Sequence, residues 1–386
     1  MQTYPLSSKL PHVGTTIFTV MSALAQEHQA INLSQGFPDF SCDKKLISLV
    51  NHYMKKGHNQ YAPMAGAPVL RQRISTLVKE LYGADYDPET EITITSGATE
   101  ALFCAVTALV KEGDEVIVIE PAYDSYIPAI ELSGGVPVCI PLEYPSYRLD
   151  WDKLKRLINQ RTRVIMINTP HNPTGAVLSE QDMVELERLV HTNNIFVISD
   201  EVYEHIVFDG LQHASIARFP DLAVKSIIVS SFGKSLHTTG WKVGYALAPP
   251  RLTKELRKVH QFVTFSTSTP FQYAIADYLQ QQREAIDGLR AFYQAKRDYF
   301  LRLMEGSAFT PIPASGTYFQ LMSYAGISDE GDEAFAQRLT REYKVASIPV
   351  SVFYRYKTDH KVVRFCFAKN EQTLKEAAER LQQVKA

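Results

Sequence analysis

The chain has 386 residues, 45% of them hydrophobic, and its 40 basic side chains nearly balance 42 acidic ones for a formal charge of −2. This length suits two or three ordinary domains, or one large domain with a smaller one. The balanced charge argues against a nucleic-acid-binding surface, and no apolar run approaches the roughly 18 residues of a membrane span.

The N-terminal stretch VGTTIFTVMSALAQ (13–26) ends in Ala-Leu-Ala, which mimics a signal-peptide cleavage site. However, threonines interrupt its apolar core, and Ile17, Val20, Met21 and Leu24 recur at helical spacing. We therefore predict an amphipathic helix rather than an export signal, and a cytoplasmic protein.

The four cysteines are scattered along the chain, with no CxxC pair and no nearby pair of histidines. The sequence therefore predicts neither a metal site nor a disulfide framework, and we expect reduced thiols.

From residue 91 to about 249, short β-rich runs alternate with segments of helical length. The runs are EITITSG (91–97), DEVIVIE (114–120), VPVCIPL (136–142), RVIMINTP (163–170), IFVISDEVY (195–203), SIIVSSFG (226–233) and VGYALAP (243–249). Helical candidates between them include 98–112, 151–160 and 179–193. Several runs are continuously apolar, which is typical of strands covered on both faces. This pattern predicts an α/β fold with a mostly parallel, seven-stranded sheet sandwiched by helices.

The pattern changes near residue 284. A charged helix (284–305) is followed by GTYFQLMS (316–323), a helix at 330–343, VASIPVS (345–351), KVVRFCFA (361–368) and a last helix from 371. We predict a smaller α+β domain at 284–386 and a large domain at 41–283. Residues 1–40 are expected to contribute to the small domain and to the substrate pocket.

Small and polar residues follow four of the predicted strands. They are Ser96–Thr99, the loop with Asn172, Asp200–Tyr203, and Ser231–Lys234. Each alone has an ordinary explanation as a helix cap or a turn. Together, at the carboxyl ends of strands in one sheet, they would place an anion cradle, an amide, a carboxylate with a tyrosine, and a lysine on one rim. A bound organic phosphate with an aldehyde and a basic ring nitrogen requires such groups.

Three of these segments resemble the signatures of the pyridoxal-phosphate aminotransferases of fold type I, class I. They are SSFGKSLHTTGWKVGY (230–245), NTPHNPTG (168–175) and ISDEVY (198–203). LSQGFPDF (33–40), NQYAPMAG (59–66) and VVRFCFA (362–368) also match, so the resemblance covers essentially the whole chain. It is closest to the methionine aminotransferases and the kynurenine/glutamine transaminase K group.

The resemblance implies pyridoxal 5′-phosphate as the cofactor and a role for each of five residues. Lys234 would hold the cofactor as a Schiff base and then carry the proton from the substrate's α-carbon. Asp200 would pair with the protonated ring nitrogen. Tyr203 and Asn172 would hydrogen-bond the phenolic oxygen, and Tyr123 would stack on the ring.

The resemblance also implies a phosphate cup and a shared active site. The cup would be formed by Gly97, Ala98, Thr99, Ser231 and Lys242. The partner subunit's Tyr61 would reach the same phosphate, so a homodimer is expected. Many aspartate-type enzymes have arginine where this chain has Lys242, and lysine there is typical of the kynurenine/methionine-type group.

Substrate recognition is expected to depend on Arg364, whose planar guanidinium matches a carboxylate. The strand pattern alone favours the alternative, in which an arginine alternating with apolar residues faces solvent from an edge strand. The resemblance assigns it to the substrate carboxylate, assisted by Asn172 and the backbone of Gly36. Ile17, Phe18 and Phe353 would line an apolar side-chain pocket.

The function implied is a ping-pong transamination from methionine, or another large neutral or aromatic amino acid, to a 2-oxo acid. The same scaffold could instead catalyse β-elimination, as a cysteine-conjugate or cystathionine β-lyase. A non-catalytic sensor would normally carry a basic DNA-binding module, which this chain lacks before residue 31. We expect small-molecule substrates, and neither nucleic acid nor membrane as a partner.

Overall fold

The computed structural model describes residues 7–385. Within this range the helices are α1 (Ile17–Glu27), α2 (Lys44–Lys55), α3 (Pro68–Tyr82), α4 (Gly97–Leu109), α5 (Tyr126–Leu132), α6 (Trp151–Leu157), α7 (Glu180–Asn193), α8 (Pro220–Ala223), α9 (Phe232–Ser235), α10 (Pro250–Val263), α11 (Thr269–Gln281), α12 (Glu284–Asp287), α13 (Leu289–Leu303), α14 (Asp332–Glu342) and α15 (Glu371–Leu381). The strands are β1 (Ile31–Asn32), β2 (Ile92–Thr95), β3 (Glu115–Glu120), β4 (Val136–Pro141), β5 (Thr162–Asn168), β6 (Phe196–Asp200), β7 (Ser226–Ser231), β8 (Gly244–Leu247), β9 (Thr310–Ile312), β10 (Phe319–Ser323), β11 (Val345–Ala346), β12 (Ile348–Pro349) and β13 (Val362–Cys366).

Seven strands form the large sheet, in the order β2-β8-β7-β6-β5-β3-β4. Strand β8 is antiparallel to both of its neighbours, and the other pairs are parallel. Each of the seven predicted runs contains one of these strands. The predicted mostly parallel, seven-stranded sheet is therefore confirmed.

Both faces of this sheet are buried, as the continuous apolar runs predict. Along β3, Val116 and Val118 belong to a core shared with α4, α5 and α10, whereas Ile117 and Ile119 belong to the core on the opposite face. Successive side chains of a strand point to opposite faces, so an unbroken apolar run implies cover on both sides. The helical sandwich is confirmed.

A smaller antiparallel sheet, in the order β12-β13-β10-β9, lies toward the C-terminus. The N-terminal strand β1 pairs in parallel with β11, so the N-terminal segment is tied to this part of the chain. A large α/β unit with a smaller α+β unit is thus present. The domain limits at residues 40 and 283 stay predictions.

The predicted N-terminal helix is present as α1, and Thr16 caps its first turn by accepting a hydrogen bond from the Thr19 amide. The prediction of one continuous helix at 284–305 is wrong. It is divided into α12 and α13 at Gly288, which is a poor helix former. Of the helices in residues 7–385, none has both the length and the apolar character needed to cross a bilayer.

Candidate active site

A cleft opens at the rim where the carboxyl ends of β2, β5, β6 and β7 meet. Because β8 is antiparallel, its amino-terminal end, preceded by Lys242, lies on the same rim. The structure brings ten of the predicted residues to this cleft: Gly97, Ala98, Thr99, Tyr123, Asn172, Asp200, Tyr203, Ser231, Lys234 and Lys242.

Lys234 lies in the short helix α9, directly after β7. The hydroxyl of Ser231 accepts a hydrogen bond from the Gly233 amide at 3.2 Å and so caps this turn. The ammonium lies 5.6 Å from the ring centre of Tyr203 and 5.8 Å from that of Tyr318. Burial lowers the pKa of Lys234 to about 8. A neutral, nucleophilic amine is therefore accessible near neutral pH.

Asp200 is the last residue of β6 and is almost fully buried. Its carboxylate accepts hydrogen bonds from the Tyr126 hydroxyl at 2.6 Å and the Val202 amide at 3.3 Å. Burial raises the pKa of Asp200 to about 6, against the opposing effect of these bonds. Within residues 7–385 no cation forms a salt bridge with it. A buried carboxylate of this kind is stabilised by a ligand that brings a cationic N–H group.

The start of α4 forms a cradle for an anion. Gly97 has a φ of +76°, and the α4 cap residue Ser96 makes no side-chain capping bond. A β-carbon on Gly97 would lie 3.2 Å from the Lys242 ammonium, and one on Gly244 would lie 2.9 Å from the Ala98 amide nitrogen. The glycines thus allow close backbone approach, and helix amides beside a lysine attract a phosphate.

Arg364 is 1% exposed in β13, which lies between β12 and β10. The alternative that it faces solvent from an edge strand is therefore wrong. Its guanidinium donates to Asn172 Oδ1 at 2.7 Å and to the Ser34 carbonyl at 3.1 Å, and it stacks 3.8 Å from the ring centre of Phe319. Its buried Nε has no hydrogen-bond partner within residues 7–385.

Two of the residues predicted to line the substrate pocket lie beside this arginine. The rings of Phe18 and Phe353 are each 5.5 Å from its guanidinium carbon and 5.9 Å from each other. Ile17, adjacent to Phe18, is partly buried at the start of α1. Gly36 accepts a hydrogen bond from the Tyr318 hydroxyl through its carbonyl oxygen. Arg364 donates its hydrogen bond to the Ser34 carbonyl rather than to the carbonyl of Gly36.

Tyr61 does not line the cleft. Its side chain is 80% exposed and packs edge-on against Phe265, 5.3 Å away.

Sequence reasoning missed several residues that shape this site. Tyr126 binds Asp200, and Asn168 donates to the Asp200 carbonyl and accepts from the Asn172 amide. Tyr318 lies beside Lys234. Asn168 could have been found as a polar residue that ends an apolar strand, whereas Tyr126 offered no signal beyond its position near Tyr123.

The structure also brings together Glu100, Cys104 and His260, whose potential ligand atoms lie within 4.8 Å of one another. No spacing in the sequence indicates this cluster, because its members come from two helices, α4 and α10. The four cysteines are present as free thiols.

The family model for aminotransferases of class I and II matches residues 28–381. The chain belongs to this family. The aminotransferase is 50% identical to methionine aminotransferase of Escherichia coli over 98% of each chain. It is 34% identical to human kynurenine–oxoglutarate transaminase 1 over 94% of each. A crystal structure of an Escherichia coli protein for which a methionine aminotransferase function was identified superposes with a TM-score of 0.97, at 50% identity, over 99% of this chain and 100% of that one. The predicted family is therefore confirmed.

Proposed function

We propose that this aminotransferase uses pyridoxal 5′-phosphate to move the amino group of methionine, or another large neutral or aromatic amino acid, to a 2-oxo acid by a ping-pong mechanism. The observation that carries the proposal is one cleft holding a lysine of lowered pKa, a buried carboxylate and an anion cradle, with a buried arginine hydrogen-bonded to Asn172 of its lining. The similarity to Escherichia coli methionine aminotransferase supports the choice of substrate.

The residues fit this cofactor in each of its chemical parts. The phosphate matches the start of α4 with Ser231 and Lys242, where a β-carbon at Gly97 would crowd the Lys242 side chain and one at Gly244 would crowd the backbone. A protonated ring nitrogen matches Asp200, which forms no salt bridge with any residue of the described range 7–385. The aldehyde matches Lys234. Tyr203, Asn172 and Tyr123 line the same cleft and would contact the ring.

When bound, the cofactor supplies an electrophilic carbonyl and an electron sink for charge that develops at the substrate's α-carbon. Lys234 would hold the cofactor, and its free amine would take the proton from the substrate's α-carbon. Asp200 keeps its partner nitrogen protonated. Arg364 holds the substrate carboxylate, and Asn172 orients Arg364 through their 2.7 Å hydrogen bond.

The side-chain pocket supports a large apolar substrate. Phe18 and Phe353 present aromatic rings, and Ile17 adds a branched apolar side chain. Aromatic rings attract the polarizable sulfur of a thioether. Such a pocket separates side chains differing by one methylene by only about 1–3 kcal/mol, so we expect broad use of neutral amino acids.

We further propose a homodimer in which the partner subunit's Tyr61 completes each phosphate cup. Tyr61 is exposed. At the C-terminal end of α10, Phe262 is 89% exposed and Val263 is 49% exposed. Large exposed apolar side chains grouped in this way are typical of an interface. A cytoplasmic location stays a prediction.

Mixing two inactive variants tests the shared site. A hybrid of a Lys234→Ala subunit and a Tyr61→Ala subunit has one site with both changes and one site with neither. At limiting cofactor the mixture should therefore regain activity that neither variant has alone. An absence of recovery, with hybrids verified by mass spectrometry, would contradict the shared site.

The central proposal is tested by visible absorption of the cofactor-loaded protein. Methionine alone should convert the cofactor band, and a 2-oxo acid should restore it. Release of pyruvate and ammonia from a cysteine conjugate without any acceptor would instead support the β-lyase. A cofactor band that no amino acid converts would refute the transaminase.

A further inference from the structure

Glu100, His260 and Cys104 form a buried polar cluster behind the cradle that the proposed mechanism does not use. Glu100 lies in the first turn of α4, and its Oε2 accepts a hydrogen bond from the Ser96 amide at 2.9 Å. Its Oε1 lies 2.8 Å from His260 Nδ1 and 2.9 Å from Cys104 Sγ. The side chain of His260 is completely buried.

Both ring nitrogens of His260 face atoms that accept hydrogen bonds. Nδ1 faces the Glu100 carboxylate, and Nε2 lies 3.0 Å from the Met64 carbonyl oxygen. A carbonyl oxygen offers no proton, so Nε2 donates to it. An unprotonated Nδ1 would then set its lone pair against a carboxylate oxygen. One proton therefore lies between Nδ1 and Glu100 Oε1, and the Glu100–His260 pair that shares it carries no net charge.

A metal ion is the other cation that could join these atoms, because Oε1, Sγ and Nδ1 all lie within 4.8 Å of one another. The 2.8 Å and 2.9 Å separations, however, are hydrogen-bond lengths. Two ligands of a tetrahedral zinc, with bonds of about 2.0–2.3 Å, lie more than about 3 Å apart. The geometry thus favours a proton over a metal.

The position of the pair gives it an electrostatic consequence. Glu100 lies one turn beyond Gly97, at the end of the helix that faces the anion cradle. Its negative charge, left alone in a buried setting, would oppose a phosphate bound there. The proton shared with His260 at 2.8 Å cancels that charge while leaving Glu100 in place to hold the Ser96 amide.

The same histidine also reaches the loop that carries Tyr61. Met64, whose carbonyl it holds, is three residues from Tyr61. The neighbouring loop carbonyls of Gln60 and Ala62 accept hydrogen bonds from Thr269 at 2.6 Å and Ser266 at 3.0 Å. One side chain therefore links the cradle of a subunit to the segment that presents Tyr61.

We propose that His260 is a positioning residue that neutralises Glu100, so that the cradle binds the cofactor phosphate, and that fixes the Tyr61 loop through Met64. This role rests on the proposed function, since it concerns the phosphate of pyridoxal phosphate. It is independent of the chemistry performed by Lys234.

The test compares the binding of pyridoxal phosphate with that of pyridoxal, which lacks the phosphate. In the His260→Gln variant Glu100 loses the group with which it shares a proton, so its negative charge is no longer balanced. We expect the Kd for pyridoxal phosphate to rise on the order of tenfold, while that for pyridoxal changes little. The double variant Glu100→Gln/His260→Gln removes the carboxylate together with the histidine and should recover most of the loss. Glu100→Gln alone should bind pyridoxal phosphate within about twofold of the wild type, because Gln can accept from Ser96 and donate to His260.

A matched control is His213→Gln. His213 Nε2 lies 2.8 Å from Glu201 Oε2, the same separation as in the His260 pair, but its Nδ1 has no partner within residues 7–385. This variant should lose thermal stability to a similar extent and leave the ratio of the two Kd values unchanged.

Three results would overturn the role of His260. One is an equal loss of affinity for both ligands in His260→Gln. A second is a loss of affinity for pyridoxal phosphate in Glu100→Gln well beyond the small change expected for it, which can be measured even if His260→Gln does not fold. The third is a stoichiometric metal in the wild type that Cys104→Ser removes. If the wild-type protein bound no pyridoxal phosphate, the proposed function itself would be wrong.

Discussion

Replacing Arg364 by lysine separates recognition of the substrate carboxylate from the rest of the reaction. A guanidinium has five N–H groups, and here one donates to Asn172 and one to the Ser34 carbonyl, so three are left, including the unpartnered Nε. Lysine keeps the positive charge but offers three protons from one atom. It cannot donate hydrogen bonds to Asn172, to Ser34 and to both oxygens of a carboxylate at once.

The expected cost follows from this count. Each hydrogen bond between charged groups contributes about 1.5–3 kcal/mol, and the substitution removes at least one of the two that hold the carboxylate. Loss of the stacking on Phe319, 3.8 Å from the guanidinium carbon, adds to it. We therefore expect a loss of about 3 kcal/mol, which is roughly a hundredfold decrease in kcat/KM for methionine.

The assay measures the amino-acid half-reaction by single-turnover absorption, with methionine and with 3-(methylthio)propylamine, which lacks the carboxylate. Arg364→Lys should affect methionine strongly and the amine little. The exposed Arg290, changed to lysine, serves as the control. An equal loss for the two substrates, or a loss for methionine below about threefold, would refute the assignment of Arg364 to the carboxylate.

Three further predictions concern the cofactor site. Because burial lowers the pKa of Lys234 to about 8, its nucleophilic neutral fraction grows as the pH rises through that value. Capture of pyridoxal phosphate by cofactor-free protein should therefore accelerate with pH and level off above about 8, whereas a midpoint near the ordinary value of 10.5 would contradict the buried amine. Asp200→Asn should slow the half-reaction on the order of a hundredfold in stopped-flow absorption, because the ring nitrogen loses its anionic partner, and an unchanged rate would exclude that pairing. Gly244→Ala would place a β-carbon 2.8 Å from the Gly97 carbonyl carbon, so we expect a loss of about 1–3 kcal/mol in the free energy of unfolding and weaker cofactor binding. Gly240→Ala, which would meet nothing within 4 Å, should change neither, and equal effects of the two substitutions would show that crowding is not the cause.

The large sheet was predictable because its signal is local. Strands buried on both faces must be apolar throughout, so each of β2 to β8 appears as a short apolar run between turn-forming residues. The expected helix from 284 to 305 failed where one residue, Gly288, interrupts an otherwise continuous pattern. A pattern summed over many residues is robust, but a boundary depends on a single one.

The cleft was predictable where its residues directly follow strands. Lys234, Asp200 and Gly97 stand at the ends of apolar runs or within three residues of them, and the rule that strand ends share one rim places them together. Tyr126 and Tyr318 carry no comparable signal, because their distances along the chain from Asp200 and Lys234 say nothing about contact.

The sequence by itself therefore determined the α/β class, the seven strands and the set of groups delivered to one rim, since each follows from apolar periodicity and from what stands at a strand's end. Only the tertiary structure decided that Arg364 lies buried in a central strand, stacked on Phe319, rather than exposed at an edge. It alone joined Glu100 to His260, 160 residues apart in the chain. Contacts of this kind depend on how helices and sheets pack against one another. That packing brings together side chains that are far apart in the chain, so the spacing of residues in the sequence does not predict them.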